Sequence, residues 1–336
     1  MRLGFEKIKE ITKGAVRILN DDKYIRFCRF TEEQTELLSN WEFHVSCTAG
    51  IKLEFKTDSE RLFLKVHVPD RGLRKYFSFD VFVNEKPIGY ISNFNEKCLP
   101  QKYDDVELQV GGEFSKSFEL GKGIKKVCIY FPWSVIGELE ELSLDDTSFC
   151  ESIPNNKKIL AFGDSITQGY DALRPSKHHI ARIAEKLDVE VINKAVAGEK
   201  FFSDFAKTKD DIEPEFVIVA YGTNDWTLTE RDEMIEACKG FYENLSLTYP
   251  QSTIFAISPV WRTDECEETK FGKFTDIEKE IERIVKNLEN VTFISGYNLI
   301  PHNKECFADF WVHPNDEGFD FYYNNLYEHI KSNVEF

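Results

Sequence analysis

The stretch Lys158-Ile159-Leu160-Ala161-Phe162-Gly163-Asp164-Ser165-Ile166-Thr167-Gln168-Gly169 changes character half-way along. Its first half is a short apolar run of the kind that makes a buried strand, and its second half is small, polar and flanked by glycine. Such a turn lifts Ser165 off the C-terminal end of the strand at the start of the next helix, the edge of an open α/β sheet where ligands bind. A serine hydroxyl is a weak nucleophile until a base takes its proton. Acyl transfer therefore also needs a base within hydrogen-bond reach and donors where the oxyanion develops. Three later stretches end at the same expected sheet edge: Asn193-Lys194-Ala195-Val196-Ala197-Gly198, Gly222-Thr223-Asn224-Asp225, and Asp309-Phe310-Trp311-Val312-His313-Pro314-Asn315-Asp316-Glu317-Gly318. His313 is the candidate base, because an imidazole that titrates near neutrality can both accept and return a proton.

In order and spacing these four blocks resemble the SGNH (GDSL-type) hydrolase superfamily over about residues 158–332. The resemblance implies Ser165 as nucleophile and His313 as base. It implies oxyanion donors at the backbone N–H groups of Ser165 and Gly198 and at the side-chain amide of Asn224. An amide suits that role because it donates without a competing charge, and glycine because it lets a substrate oxygen approach the main chain. The chain departs from the family at the third catalytic position. The family places an aspartate three residues before the histidine, where Phe310 stands here; the nearest acid, Asp309, lies four before. Asp309 reaches the ring only if the loop takes up one extra residue in a bulge or tight turn; otherwise a backbone carbonyl or water must orient the imidazole.

Plainer readings stand beside these. Asp164 and Ser165 are good helix caps, Gly222–Asp225 reads equally as a turn, and His313-Pro314 as the start of a helix. Asp225 either positions Asn224 or caps the following helix. Trp261, in Ser258-Pro259-Val260-Trp261-Arg262, follows a strand end and either lines a substrate pocket or packs under a loop. His302 falls on the same side of the sheet and is the natural decoy for His313. The remaining histidines, His44, His67, His178, His179 and His329, read as surface or core residues.

The elements that must hold these groups follow a strand–helix alternation. Strands are expected over 158–162, 189–195, 216–221, 253–260 and 291–295, with helices around 172–187, 200–212, 229–248, 275–289 and 316–332. That rhythm predicts a parallel sheet with helices on both faces, a flavodoxin-like three-layer α/β/α domain. Residues 1–150 read differently. Alternating segments such as 51–56, 62–68, 77–83, 127–131 and 139–144, with turn residues between them, predict an all-β sandwich or jelly-roll domain. Residues 151–157 (Glu-Ser-Ile-Pro-Asn-Asn-Lys) read as a polar linker between that accessory domain and a catalytic domain over 158–336.

Composition bounds the function. A chain of 336 residues suits two domains, and 42 basic against 59 acidic residues leave a net charge of −17, which repels nucleic acid and anionic membrane. No window is apolar over the length of a membrane span, and the first residues lack a signal-peptide core, so a cytoplasmic protein is expected. The eight cysteines are scattered, without CxxC pairs or Cys/His clusters; they are expected to be reduced thiols, and neither a metal nor an organic cofactor is called for. The elbow G-x-S-x-G is absent because Thr167 holds its last position, and there is no P-loop or G-x-G-x-x-G.

The pairing of a β domain with an SGNH domain resembles carbohydrate esterases of family two. It implies removal of acetyl groups from small or oligosaccharide esters through an acyl-serine intermediate. The same residues would serve a lysophospholipase, thioesterase or acyltransferase, and a carbohydrate-binding protein on an inactive scaffold is the non-enzymatic alternative. The β domain would bind sugar, wall the cleft or form a homo-oligomer interface.

Overall fold

The computed structural model describes residues 1–334 apart from Asp22, Leu73, Lys75, 95–107 and Asn156. The chain divides into two compact units, and both are assembled from discontinuous segments. The first comprises Met1–Phe30, Phe43–Asn155 and Leu173–Ser176; the second comprises Thr31–Glu42, Asn156–Ala172 and Lys177–Phe336.

The first unit begins with helix α1 (Phe5–Ile11) and carries eleven strands among the described residues: β1 (Thr12–Lys13), β2 (Arg17–Asp21), β3 (Tyr24–Cys28), β4 (Lys52–Thr57), β5 (Arg61–Val68), β6 (Ser78–Val83), β7 (Lys86–Ser92), β8 (Gly112–Glu119), β9 (Lys125–Tyr130), β10 (Glu138–Leu144) and β11 (Glu151–Ser152). They form two antiparallel sheets, β1-β4-β9-β6-β7 with β11 beside β4, and β2-β3-β10-β5-β8. Residues of β5 alternate between buried and less buried positions, as a strand with one face on a core must. Leu62, Leu64 and Val66 from one sheet and Leu53, Phe55, Phe79 and Ile129 from the other share one apolar core. Phe131 packs edge-on to both Phe27 and Phe79 at ring separations of 5.0 and 5.1 Å. This is the sandwich that the alternating segments predict.

Two expectations change here. Glu151 and Ser152, placed in the linker, pair with Lys56 and Phe55 of β4, so the first unit's sheet extends past residue 150. Residues Thr31–Glu42 belong to the second unit rather than the first. They contain the short helix α2 (Glu32–Leu37) and a single 3₁₀ turn at Ser39–Trp41; helix α3 (Glu42–Ser46) follows.

The second unit holds the parallel sheet β12 (Lys158–Gly163), β13 (Glu190–Asn193), β14 (Phe216–Ala220), β15 (Thr253–Ile257) and β16 (Val291–Ile294). Its strand order, β13-β12-β14-β15-β16, is the flavodoxin-like 2-1-3-4-5. Besides α2, its helices among the described residues are α4 (Ser165–Gln168), α5 (His179–Leu187), α6 (Thr223–Leu228), α7 (Arg231–Thr248), α8 (Phe274–Val285) and α9 (Asp316–Lys331). Successive residues of β12 serve opposite faces of the sheet: Ile159 and Ala161 join the core that includes Ile180, Ile183, Phe319 and Tyr322 of α5 and α9, while Phe162 meets Phe205 and Phe241 on the other side. Burial on both faces explains why these strands read as unbroken apolar runs. Because β12 lies between β13 and β14, its C-terminal end is the point where the strand order reverses. There the loops diverge and leave a crevice.

Two expected helices are shortened. Over 172–187 only His179–Leu187 is helical; Pro175 disfavours helix at Arg174, whose guanidinium instead lies 3.5 Å from the ring centre of Tyr90 and donates to Ser78. Over 200–212 only the 3₁₀ turn Phe205–Lys207 forms. Backbone donors that a helix would use are taken by tertiary partners: Phe201 N–H by Asp225 and Asp210 N–H by the Tyr249 hydroxyl. Seven cysteines are free thiols, and Cys98 lies outside the described residues. Among the described residues no helix is long and apolar enough to cross a membrane.

Between α5 and α9 the imidazole of His179 is stacked on Tyr322 at 4.0 Å and on Phe319 at 5.5 Å. Neither of its ring nitrogens has a partner among the described residues. Burial holds His178 down at about 3 and His179 well below the ordinary histidine range. Groups whose folded pKa is depressed contribute stability that is present above their unfolded value, near 6.5, and lost as pH falls below it. Replacing His179 by Phe keeps the stack and removes the titration. His179→Phe should raise the melting temperature by several degrees at pH 5 and by less at pH 8. A difference that does not change with pH would contradict this account.

Candidate active site

The site forms at the end of β12. A Cβ on Gly163 would stand 2.3 Å from Thr167 Oγ1 and 2.7 Å from the Ala220 carbonyl oxygen, so only glycine lets the chain turn here. Asp164 has an extended backbone, caps α4 by accepting from the Ile166 N–H at 2.9 Å, and is buried. Burial pushes its carboxyl up to about 6, against the pull of that N–H, His313 and Arg262. Capping and catalysis are compatible: the cap starts the helix whose first residue is Ser165. The Ser165 hydroxyl lies 2.9 Å from His313 Nε2, although the two residues are 148 positions apart in sequence.

His313 sits in a loop closed by the bridge between Phe307 and Pro314, with the Ala308 N–H donating to the His313 carbonyl at 2.8 Å. Within this loop Phe310 adopts φ +55°, a left-handed conformation uncommon for a residue with a side chain. This takes up the extra residue between the acid and the histidine and folds Asp309 back under the ring. Asp309 Oδ2 lies 2.7 Å from His313 Nδ1, and Oδ1 accepts from the N–H groups of Trp311, Val312 and His313 at 2.9, 2.9 and 3.1 Å. Burial alone would raise the pKa of Asp309; the bond and charge of His313 and the backbone donors outweigh it and hold the carboxyl below its usual range. An ionised Asp309 fixes the proton of the neutral ring on Nδ1 and leaves Nε2 as the acceptor facing Ser165.

On the opposite wall, Gly198 has φ +83°, and the backbone N–H groups of Ser165 and Gly198 donate to no protein group among the described residues. Asn224, in the first turn of α6, donates one amide N–H to the Glu199 carbonyl at 2.9 Å. That bond fixes the amide plane and leaves the second N–H for a ligand.

Hydrogen bonds join the loops into a ring. Val196 N–H donates to the Gly163 carbonyl at 2.9 Å, Ala197 N–H to Gln168 Oε1 at 2.8 Å, and the Asn193 amide to the Thr167 carbonyl at 2.9 Å. Phe201 N–H donates to Asp225 Oδ1 at 3.3 Å. Arg262 donates to the Thr223 hydroxyl at 2.9 Å, pairs with Asp264 at 2.5 Å, and lies 5.2 Å from the ring centre of Trp311.

The other candidates separate clearly. Asp225 caps no helix: it secures the loop that carries Gly198, and burial pushes it up to about 7. Trp261, partly buried, donates its indole N–H to Glu265 and packs on His302 and Phe307. His302 is engaged with the Tyr297 carbonyl at 2.9 Å. Two acids carry no sequence signal: Asp171, with Oδ2 3.7 Å from His313 Nδ1, and the buried Glu199, pushed up to about 7 by burial. Asp171, Asp309 and His313 offer three potential cation-ligand atoms within 4.8 Å of one another, but His313 Nδ1 and Asp309 already bind each other.

Residues 161–321 match the GDSL-like lipase/acylhydrolase family. They form a GDSL-like domain. In fold, the chain is similar to the salicylyl-acyltransferase SsfX3 of a tetracycline biosynthetic pathway (TM-score 0.78, 18% identity, 96% of this chain and 94% of that one). It is also similar to a candidate GDSL-like lipase from Bacteroides ovatus (TM-score 0.74, 19% identity, 100% and 99%). A third likeness is to a family two carbohydrate esterase from Cellvibrio japonicus (TM-score 0.65, 18% identity, 97% and 96%). No curated protein matches the sequence. The four blocks by which the sequence resembles this family are the four that these contacts bring together.

Asp309→Asn keeps the Oδ1 acceptor of the loop but removes the charge behind the ring. It should lower kcat for p-nitrophenyl acetate by roughly 10³–10⁴-fold; near-native turnover would mean that another group, Asp171 foremost, orients His313. Asn224→Ala should cost about 10²–10³ in kcat with little change in KM, and a loss under threefold would remove Asn224 from the oxyanion site.

Proposed function

We propose that the protein is a serine esterase that removes short acyl groups, acetyl above all, from esters of carbohydrate alcohols. The observation that carries this reading is the continuous hydrogen-bond line Ser165–His313–Asp309, beside which the N–H groups of Ser165 and Gly198 donate to no group among the described residues. Ser165 Oγ attacks the ester carbonyl carbon as His313 Nε2 takes the hydroxyl proton. The oxyanion of the tetrahedral intermediate is held by the two backbone N–H groups and the free N–H of Asn224. Collapse breaks the bond to the alcohol, which leaves with the proton from His313. Water then repeats the sequence on the acyl-serine, releasing the carboxylic acid and restoring Ser165.

The geometry supports one orientation of the ester. The leaving oxygen must receive its proton from His313 Nε2, so the alcohol lies on the side of that loop. There Phe310 and Trp311 stand 48% and 46% exposed, offering aromatic surface beside the polar site. Aromatic faces of this kind suit the apolar faces of a sugar ring. Likeness to family two carbohydrate esterases supports the same substrate class, and likeness to an acyltransferase supports a second fate for the acyl-serine, transfer to another alcohol.

The test is a panel of p-nitrophenyl acetate, butyrate and octanoate together with acetylated xylo-, manno- and gluco-oligosaccharides, with Ser165→Ala as control. Acetate should be the preferred acyl group, and Ser165→Ala should lose essentially all turnover. Trp311→Ala should raise KM for acetylated oligosaccharides by about tenfold, the scale of about 1.4 kcal/mol, and leave kcat for p-nitrophenyl acetate within about threefold. Preference for octanoate would replace this reading by a lipase-type one. Ester turnover that rises with added acceptor alcohol would favour acyl transfer. Binding of oligosaccharide without turnover would indicate a carbohydrate-binding protein.

A further inference from the structure

Trp41 lies far from the GDSL-like segment in sequence, yet its indole stands at the Gly198 corner of the site. A Cβ on Gly198 would come within 3.0 Å of both Cη2 and Cζ3 of Trp41. The edge of the six-membered ring therefore covers the face of Gly198 that a side chain would occupy. Left-handed φ and a touching indole act together: any larger residue at 198 would meet both backbone strain and a clash.

Trp41 is not a loose side chain that happens to lie there. It ends the 3₁₀ turn Ser39–Trp41, closed by its own N–H donating to the Leu38 carbonyl at 2.8 Å, and Leu38 is buried. The preceding helix α2 has a reciprocal capping box, in which Thr31 Oγ1 accepts from the Gln34 N–H and Gln34 Oε1 from the Thr31 N–H, both at 3.1 Å. The same Gln34 is fully buried. Its Oε1 also accepts from Lys194 Nζ at 2.7 Å, and its amide donates to Asp210 Oδ2 at 3.2 Å, closing the buried Lys194–Asp210 pair. Lys194 precedes Gly198 by four residues in the block that supplies the oxyanion donor. One polar cluster thus anchors both Gly198's loop and the segment that carries Trp41.

We infer that Trp41 is the wall of the acyl side of the site and restricts the protein to short acyl groups; this rests on the esterase reading above. The tetrahedral carbon has four substituents. One is Ser165 Oγ, one is the oxyanion at the N–H groups of Ser165 and Gly198, and one is the alcohol oxygen turned to His313. The fourth, the acyl chain, is left the remaining direction, past the oxyanion loop. Beside that loop stands the half-buried indole edge, which a Cβ on Gly198 would meet at 3.0 Å. A methyl group fits beside such a wall, and a longer chain must displace it.

The experiment compares kcat/KM for p-nitrophenyl acetate, butyrate and octanoate in wild type, Trp41→Ala and Trp41→Phe, with melting curves and with Ser165→Ala as blank. Wild type should favour acetate over octanoate by at least a hundredfold. Trp41→Ala should raise the butyrate-to-acetate ratio tenfold or more, with Trp41→Phe between the two. A structural role alone would lower all three esters together and leave the ratios unchanged. Wild type that hydrolyses octanoate as well as acetate overturns the inference even if neither variant folds. So do ratios within twofold of wild type in a folded Trp41→Ala. Ratios within twofold of wild type leave the esterase reading standing, because acetate is still preferred and Ser165→Ala still fails to turn over; octanoate turned over as well as acetate keeps the serine-ester chemistry but removes the acetyl preference proposed above. If wild type hydrolyses no ester, the esterase reading falls and this inference with it.

Discussion

The carboxylate of Asp309 is the point on which the chemistry turns. It receives three backbone N–H groups and the Nδ1 side of His313, so one side chain both folds the loop and selects the tautomer that the proposed nucleophile Ser165 would need. Its location depends on a single backbone choice, the left-handed φ of Phe310. For a residue with a side chain that conformation costs on the order of 1–2 kcal/mol. Charge-assisted bonds to three N–H groups are individually of comparable size, so the loop keeps its strained residue and the acid still reaches the ring from one position too far away.

Behind the opposite wall the electrostatic problem is different. Glu199 and Asp225 are buried beside the oxyanion loop, and burial raises both to about 7. Fully ionised, they would place negative charge close to the oxyanion of the proposed reaction. With raised pKa values each carries a large neutral fraction near neutrality, and their acceptor oxygens still serve the main chain: Asp225 Oδ1 holds Phe201 N–H and Glu199 Oε1 holds Lys200 N–H. The loop is thereby tied down by acids at a lower electrostatic cost to the transition state than their formal charge suggests.

What the sequence makes legible follows from how local each signal is. The βα rhythm and the polar blocks are local: β12 and β14 are apolar runs buried on both faces, and the first three blocks lie at or just past the ends of β12, β13 and β14. The reach of Asp309 to His313 rests on one dihedral angle at Phe310, which no residue pattern encodes. The segment 200–212 has helix-forming residues but loses its backbone donors to Asp225 and Tyr249, partners distant in sequence. Asp171 and Glu199 look like any acids until the fold buries them. The strand Glu151–Ser152 is two residues long and polar, and only its pairing with β4 distinguishes it from a linker.

The transfer of residues 31–42 to the second unit has a particular physical cause. A fully buried ammonium and carboxylate, Lys194 and Asp210, each leave donor or acceptor capacity unused once they have paired. In a dry interior that remainder costs more than the pair's attraction returns unless a further group meets it. An amide can meet both, because it donates and accepts from one rigid plane, and Gln34 does so. Breaking such a cluster by removing one partner typically costs about 3–5 kcal/mol, so the segment that carries Gln34 is held as firmly as the core it completes. Trp41 shares that segment. The wall at Gly198 is accordingly set by a charge pair buried behind the site, and the width of the site on that side can change only if Trp41 itself changes or if the polar cluster beneath it is rebuilt as a whole.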